Sequence, residues 1–118
     1  MDDITIKPGD LRFSQVDIPG FSGETLGAFP NMDVSKAPFL ALLKMGPGAV
    51  LARHYHPSVP EAIYVVEGVM INDGEPLPAG SFCVHGLNVE HGPHTTNTGC
   101  TLLFIQASPV GPDDSVLV

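Results

Sequence analysis

Residues 48–68, GAVLARHYHPSVPEAIYVVEG, leave this chain few folds to choose from. Val50 to His56 reads as a β-strand, in which residues i and i+2 point to the same face. His54 and His56 then stand side by side, about 7 Å apart at Cα. Both rings can converge on one metal ion at about 2.0–2.1 Å per bond. Pro57 and Pro60 bracket a turn, because proline fixes φ and removes a backbone donor. Glu61-Ala-Ile-Tyr-Val-Val-Glu67 is rich in β-branched residues and ends at Gly68, so it reads as the returning strand. A hairpin of this kind aims the Glu61 carboxylate where the two imidazoles point. A His-x-His pair alone is more often surface histidine than a ligand pair, and a Glu opening a strand is usually solvated.

The rest of the chain carries the same signature of short strands. It has 118 residues, enough for one domain, with 13 Gly, 12 Pro, 43% hydrophobic and only 15% charged residues. That balance suits many strands joined by tight turns and does not suit a helix bundle. Net charge is −8 and there are five Lys+Arg, with no basic cluster, which argues against nucleic acid as a partner. No apolar run approaches the roughly 20 residues of a membrane span. The opening MDDITIKPGD lacks the basic and apolar regions of a signal peptide, so a cytoplasmic location is expected. Cys83 and Cys100 show no CxxC spacing and read as small buried hydrophobes in strands.

In chain order, residues 2–7 alternate weakly and predict a short edge strand before Pro8-Gly9. Residues 1–38 form an arm, irregular over 11–38, with one or two short strands. Its Phe13, Ile18, Phe21 and Phe29 need apolar cover. Phe39 to Met45, between Pro38 and Gly46-Pro47, is strand-length and too short for a stable helix. It opens a barrel over 39–107. Val69-Met70-Ile71 continues the return strand to a hairpin turn at Asn72-Asp73-Gly74. Alternation sets Glu61, Ile63 and Val65 on one face and Ala62, Tyr64 and Val66 on the other. Pro78-Ala79-Gly80 is a turn, Ser81 to His85 a strand and Gly86-Leu87-Asn88 a loop. Cys100 to Ala107 is the closing strand. The tail, 108–118, is expected on the surface, with Val116, Leu117 and Val118 able to dock.

Gly48, five residues, His54-x-His56, four residues, Glu61, six residues and Gly68 resemble the first cupin motif position by position. The second motif is degenerate here. Counted from Gly80, its histidine falls on His91, Gly86-Leu87-Asn88 stand where Pro-x-Gly is usual, and Thr95 replaces the final Asn, with Asn97 two places on. Register therefore favours His91 as third ligand. His94, a loop imidazole in this reading, and His85, on the face of Ser81 and Cys83, remain alternatives. Over roughly residues 36–107 the chain is similar to small cupins, in particular the cupin domains of zinc-binding anti-sigma factors and dioxygenases that cleave hydroxyacetophenones or β-diketones.

That resemblance implies an all-β cupin jelly-roll barrel, a homodimer, and a divalent metal on His54, His56, His91 and Glu61. Glu61 and His94 are the candidate catalytic groups. Leu51, Ile63, Val65, Phe82 and Phe104 are candidates for the apolar wall. The ion is Fe(II) if the chain is an enzyme acting on a small-molecule substrate, with Zn, Ni or Mn as alternatives. Three functions follow: an Fe(II) dioxygenase cleaving a small diketone or hydroxyketone, a Zn-binding sensing module, and a metal-independent isomerase. The last is ranked lowest, because a nucleotide-sugar substrate calls for cations and Arg12, Arg53, Lys7, Lys36 and Lys44 are all there are.

Overall fold

Phe39–Met45 alternates buried and half-buried positions down to Lys44, as a strand with one face in a core must. A computed structural model describes residues 4–31, 38–108 and 114–118. Its strands are β1 (Ser14–Gln15), β2 (Phe21–Ser22), β3 (Thr25–Ala28), β4 (Phe39–Met45), β5 (Val50–Leu51), β6 (His54–Tyr55), β7 (Glu61–Asn72), β8 (Glu75–Pro78), β9 (Phe82–His85), β10 (His94–Thr95), β11 (Cys100–Gln106) and β12 (Val116–Leu117). One curled sheet runs β1-β3-β4-β11-β7-β10-β5-β2, with β8 and β9 also paired to β7. Each of these pairings is antiparallel. This is the expected all-β jelly-roll half-barrel.

The curl is built into β7. Its first half pairs with β11 and β9, and its second half with β8 and β10. The join is Gly68, at φ +76°, where an added Cβ would meet the backbone of Gly99 and Cys100. A bulge at the same level shifts the register between Thr101 and Leu102, and such bulges bend a strand. Gly68 is thus fixed by backbone proximity rather than by the site it frames. Asp73-Gly74 then closes the β7–β8 hairpin with both residues at positive φ, as a two-residue turn requires.

Inside the curl, Leu43, Leu51, Ile63, Val65, Met70, Leu102 and Phe104 form one buried core. Ile63, Val65, Met70 and Leu102 are wholly enclosed, and full burial of such a side chain stabilises by about 1.5–3 kcal/mol. Cys83 and Cys100 are buried free thiols, as expected.

Several expectations need correction. Residues 4–7 form no strand, and Pro8–Asp10 is a short 3-10 turn; residues 1–3 lie outside the described residues. The arm carries three short strands, all paired within the chain, although part of it, 32–37, also lies outside them. Val50 to His56 is not one strand. It breaks at Ala52-Arg53, so β5 pairs with β2 and β10 while β6 pairs with β12. Phe82 is 68% exposed and lines no inner wall; it packs on Tyr64 at 4.6 Å on the outer face. His94 is not a loop residue but a wholly buried member of β10.

Candidate metal centre

His54 and His56 both point inward, although the strand that carries them is broken. Their rings lie 4.9 Å apart and both residues are buried. The break at Ala52 has a use, since the Ala52 carbonyl lies 2.7 Å from Nδ1 of His54. His56 Nδ1 is 2.7 Å from the Asp114 carbonyl, and His91 Nδ1 is 3.0 Å from the Val89 carbonyl. A carbonyl only accepts, so all three Nδ1 atoms carry a proton, and in the neutral rings all three Nε2 atoms present a lone pair. This is how a metal-binding histidine is oriented from behind.

The Nε2 atoms converge on Glu61, which opens β7. Its Oε2 is 3.4 Å from His56 Nε2, and its Oε1 is 3.6 Å from His91 Nε2. Gln106 Nε2 donates to Oε2 at 2.9 Å. His56 Nε2, His91 Nε2 and Glu61 Oε1 are buried without a hydrogen-bond partner, each costing about 1–3 kcal/mol if left so. One atom from each of His54, His56, Glu61 and His91 lies within 4.8 Å of the others. A divalent ion fits here, because it would take up those lone pairs together.

Second, the fold brings His91 to this place. In β6, His54 forms an isolated antiparallel bridge with His91, and Arg53 donates to the Gly92 carbonyl at 2.8 Å. Arg53 also pairs with Glu90 at 3.2 Å and Asp73 at 3.5 Å. Arg53 thus ties the His91 loop to the β6 segment.

Electrostatics follow the geometry. Burial would push the Glu61 carboxyl up, but the facing imidazoles of His56 and His91 outweigh it and hold Glu61 well below the usual carboxylate range. Burial likewise opposes a proton on His56, yet the Glu61 carboxylate raises its pKa. His54 is lowered by burial, against the pull of the Ala52 carbonyl.

His85 and His94 stand near His91, with rings 3.8 Å and 5.6 Å from its ring, and His85 lies opposite Glu61 in the β7–β9 register. Burial lowers His85 to about 4 and His94 to about 3, with the neighbouring imidazoles adding to the effect. His85 stacks on His91 at 3.8 Å with the planes 2° apart. One ligand nitrogen each of His85, His91 and His94 lies within 4.8 Å of the others, a second candidate cluster that shares His91 with the first. His94 has no carbonyl behind either nitrogen, and both are buried without a partner.

Two contributing residues were not anticipated. Gln106 faces Glu61 in the β11–β7 register, and its signal was a polar residue ending the inward alternation Cys100, Leu102, Phe104. Asp114 accepts from Ser58 N at 2.7 Å through its carboxylate and faces His56 through its carbonyl. Nothing local in the sequence marks it.

The sequence profile of the ChrR cupin-like domain matches residues 1–110. Among curated proteins, none matches at a significant level. The fold is similar to that of the polyketide cyclase RemF from Streptomyces resistomycificus, with TM-score 0.78 and 22% identity over 99% of this chain and 86% of that one. It is also similar to a putative acetylacetone dioxygenase from Methylibium petroleiphilum PM1, with TM-score 0.72 and 15% identity over 100% and 88%. The anti-sigma ChrR of Rhodobacter sphaeroides, solved with SigE, gives TM-score 0.65 and 19% identity over 84% of this chain and 51% of that one.

Proposed function

This chain belongs to the family of ChrR cupin-like domains, and from that premise we propose that it is a non-haem Fe(II) dioxygenase cleaving a small diketone or hydroxyketone. The observation that carries the reading is the set of three imidazoles, each turned by a backbone carbonyl, around one buried carboxylate. A bound Fe(II) ion would supply Lewis acidity toward a chelating enolate and a site for O2. The likeness to a putative acetylacetone dioxygenase supports the same chemistry.

The chain's own residues have distinct parts. His54, His56 and His91 would hold the ion, and Glu61, ionised, would anchor it and offset one charge. Leu51, Ile63, Val65 and Phe104 exclude water, which strengthens every charge interaction inside. His94, whose N–H and lone pair are unused by the protein, is the candidate partner of a further polar group on the substrate. For a β-diketone, the bond between one carbonyl carbon and the central carbon breaks and O2 is reduced. Both oxygen atoms enter the products, a carboxylic acid and a 2-oxoaldehyde. For a hydroxyketone the products are two carboxylic acids.

Anaerobic reconstitution with Fe(II), followed by oxygen uptake with β-diketones and hydroxyacetophenones, tests the reading. Uptake above that of His54→Ala is expected. A second reading, a Zn-binding sensing module, is favoured by the family match to an anti-sigma cupin. It takes over if no substrate raises uptake while Zn(II) binds far more tightly than Fe(II).

A homodimer belongs to the same proposal. On the outer face, Phe82, Tyr64, Leu103 and Leu42 lie in one cross-strand row, and Val84, Ala62, Ile105 and Leu40 in the next. Val84 is 80% exposed. Neither row carries a charge, so chains of net charge −8 can meet there. Light scattering is expected to give twice the chain mass, and Val84→Glu with Phe82→Glu to give a monomer. A monomeric wild type would contradict this.

A further inference from the structure

The five histidines divide into two kinds. Three are oriented by backbone carbonyls for metal binding. His94 is not, although it is fully buried. A neutral imidazole has one N–H donor and one lone pair, and in His94 neither is used within the protein. Its ring lies 5.6 Å from His91 and 6.1 Å from His54. A ligand nitrogen of His94 falls within 4.8 Å of those of His91 and His85, a gap suited to a single intervening heavy atom.

We propose that His94 is a specificity-determining residue that binds a hydroxyl group of the substrate, so that the site prefers a hydroxylated ketone over a plain diketone. The inference rests on the reading above, that a metal-chelating ketone binds at His54, His56, His91 and Glu61. A diketone or its enolate, with both oxygens on the ion, brings only acceptors and leaves the His94 lone pair unmet. A hydroxyl both donates and accepts, and so matches the imidazole whichever nitrogen carries the proton. A site built around such a group discriminates strongly against an analogue that lacks it, because the buried partner is then left unpaired. His85, stacked on His91, holds that ring in place and offers its own unpartnered Nε2 beside the same gap.

The test uses two ligands that differ by one hydroxyl, 2,4-pentanedione and 1-hydroxy-2,4-pentanedione. Their dissociation constants are measured by calorimetry on the Zn(II)-loaded protein, where no oxidation intervenes. The hydroxylated ligand is expected to bind roughly tenfold tighter or more. His94→Phe removes both hydrogen-bonding atoms and should abolish the preference, while His94→Gln keeps a donor and an acceptor and should restore part of it. Equal binding of the two ligands by the wild type overturns the proposal, and would mean that an internal water already serves His94. A preference surviving in His94→Phe overturns it as well. Should neither ligand bind, the inference falls together with the chelation it rests on. A hydroxyl preference without oxygen uptake on Fe(II) would instead leave this inference standing and remove the dioxygenase reading.

Discussion

The main chains of His54 and His91 exchange two hydrogen bonds, His54 N to His91 O at 3.0 Å and His91 N to His54 O at 2.8 Å. Residues 37 positions apart are thereby directly opposite each other, with rings 4.3 Å apart. His94 lies beyond this bridge, on β10 opposite Leu51. His91→Ala is therefore expected to strip bound metal, whereas His94→Ala should leave the stoichiometry near that of the wild type. Metal content by mass spectrometry decides it, and the reverse pattern would move the ligand to His94.

Glu61 and Gln106 form the next pair. Glu61→Gln removes the charge that faces the ion and should weaken metal retention by about 10–100-fold. Gln106→Leu should weaken it less, because the carboxylate stays but loses one donor that fixes it. Competition with a chelator measures both. Unchanged affinity in Glu61→Gln would show an ordinary buried carboxylate.

The tail is the part of the site that the sequence concealed. β12 pairs with β6, Val116 to Tyr55 and Leu117 to His54, and the Asp114 carbonyl faces His56. Deleting residues 114–118 should lower metal affinity by roughly tenfold or more, while the melting transition stays cooperative. Equal affinity in the truncated chain would show that the tail is merely attached.

What was legible follows from range. The His54-x-His56 pair, Glu61 and the strands at 39–45, 61–71 and 100–107 announce themselves by local alternation and by turn residues. Phe82 was misread because its strand's facing is set by pairing with β7, where Cys83 and His85 take the inward positions. The break at Ala52-Arg53 was missed because β5 and β6 serve different partners, and no local propensity encodes that. Asp114 is 58 residues from His56, and only the closed fold brings them together.

The metal-free protein should lose stability steadily as the pH falls from about 6.5 toward 4. His85 and His94 stay neutral down to about 4 and about 3 in the fold. The unfolded chain takes up their protons from about 6.5 downward, so acid favours unfolding. Glu61 acts in the same direction, since its depressed pKa gives stability that is present above about 4.5 and lost below. His56, raised by Glu61, contributes stability below about 6.5 that is lost as the pH rises through its folded value. Calorimetric melting across this range checks the slope, and His94→Phe should flatten it. A melting temperature constant from pH 6.5 to 4 would contradict the burial of these imidazoles.

The central claim is that His54, His56, His91 and Glu61 hold a divalent ion, and metal stoichiometry tests it most directly. Protein purified anaerobically, loaded with Zn(II) or Fe(II) and desalted is analysed by mass spectrometry beside the double variant His54→Ala with His56→Ala. The wild type should retain about one ion per chain, and the double variant close to none, because losing two of four ligands leaves no closed set. Undiminished metal in the double variant would place the ion elsewhere and contradict the account.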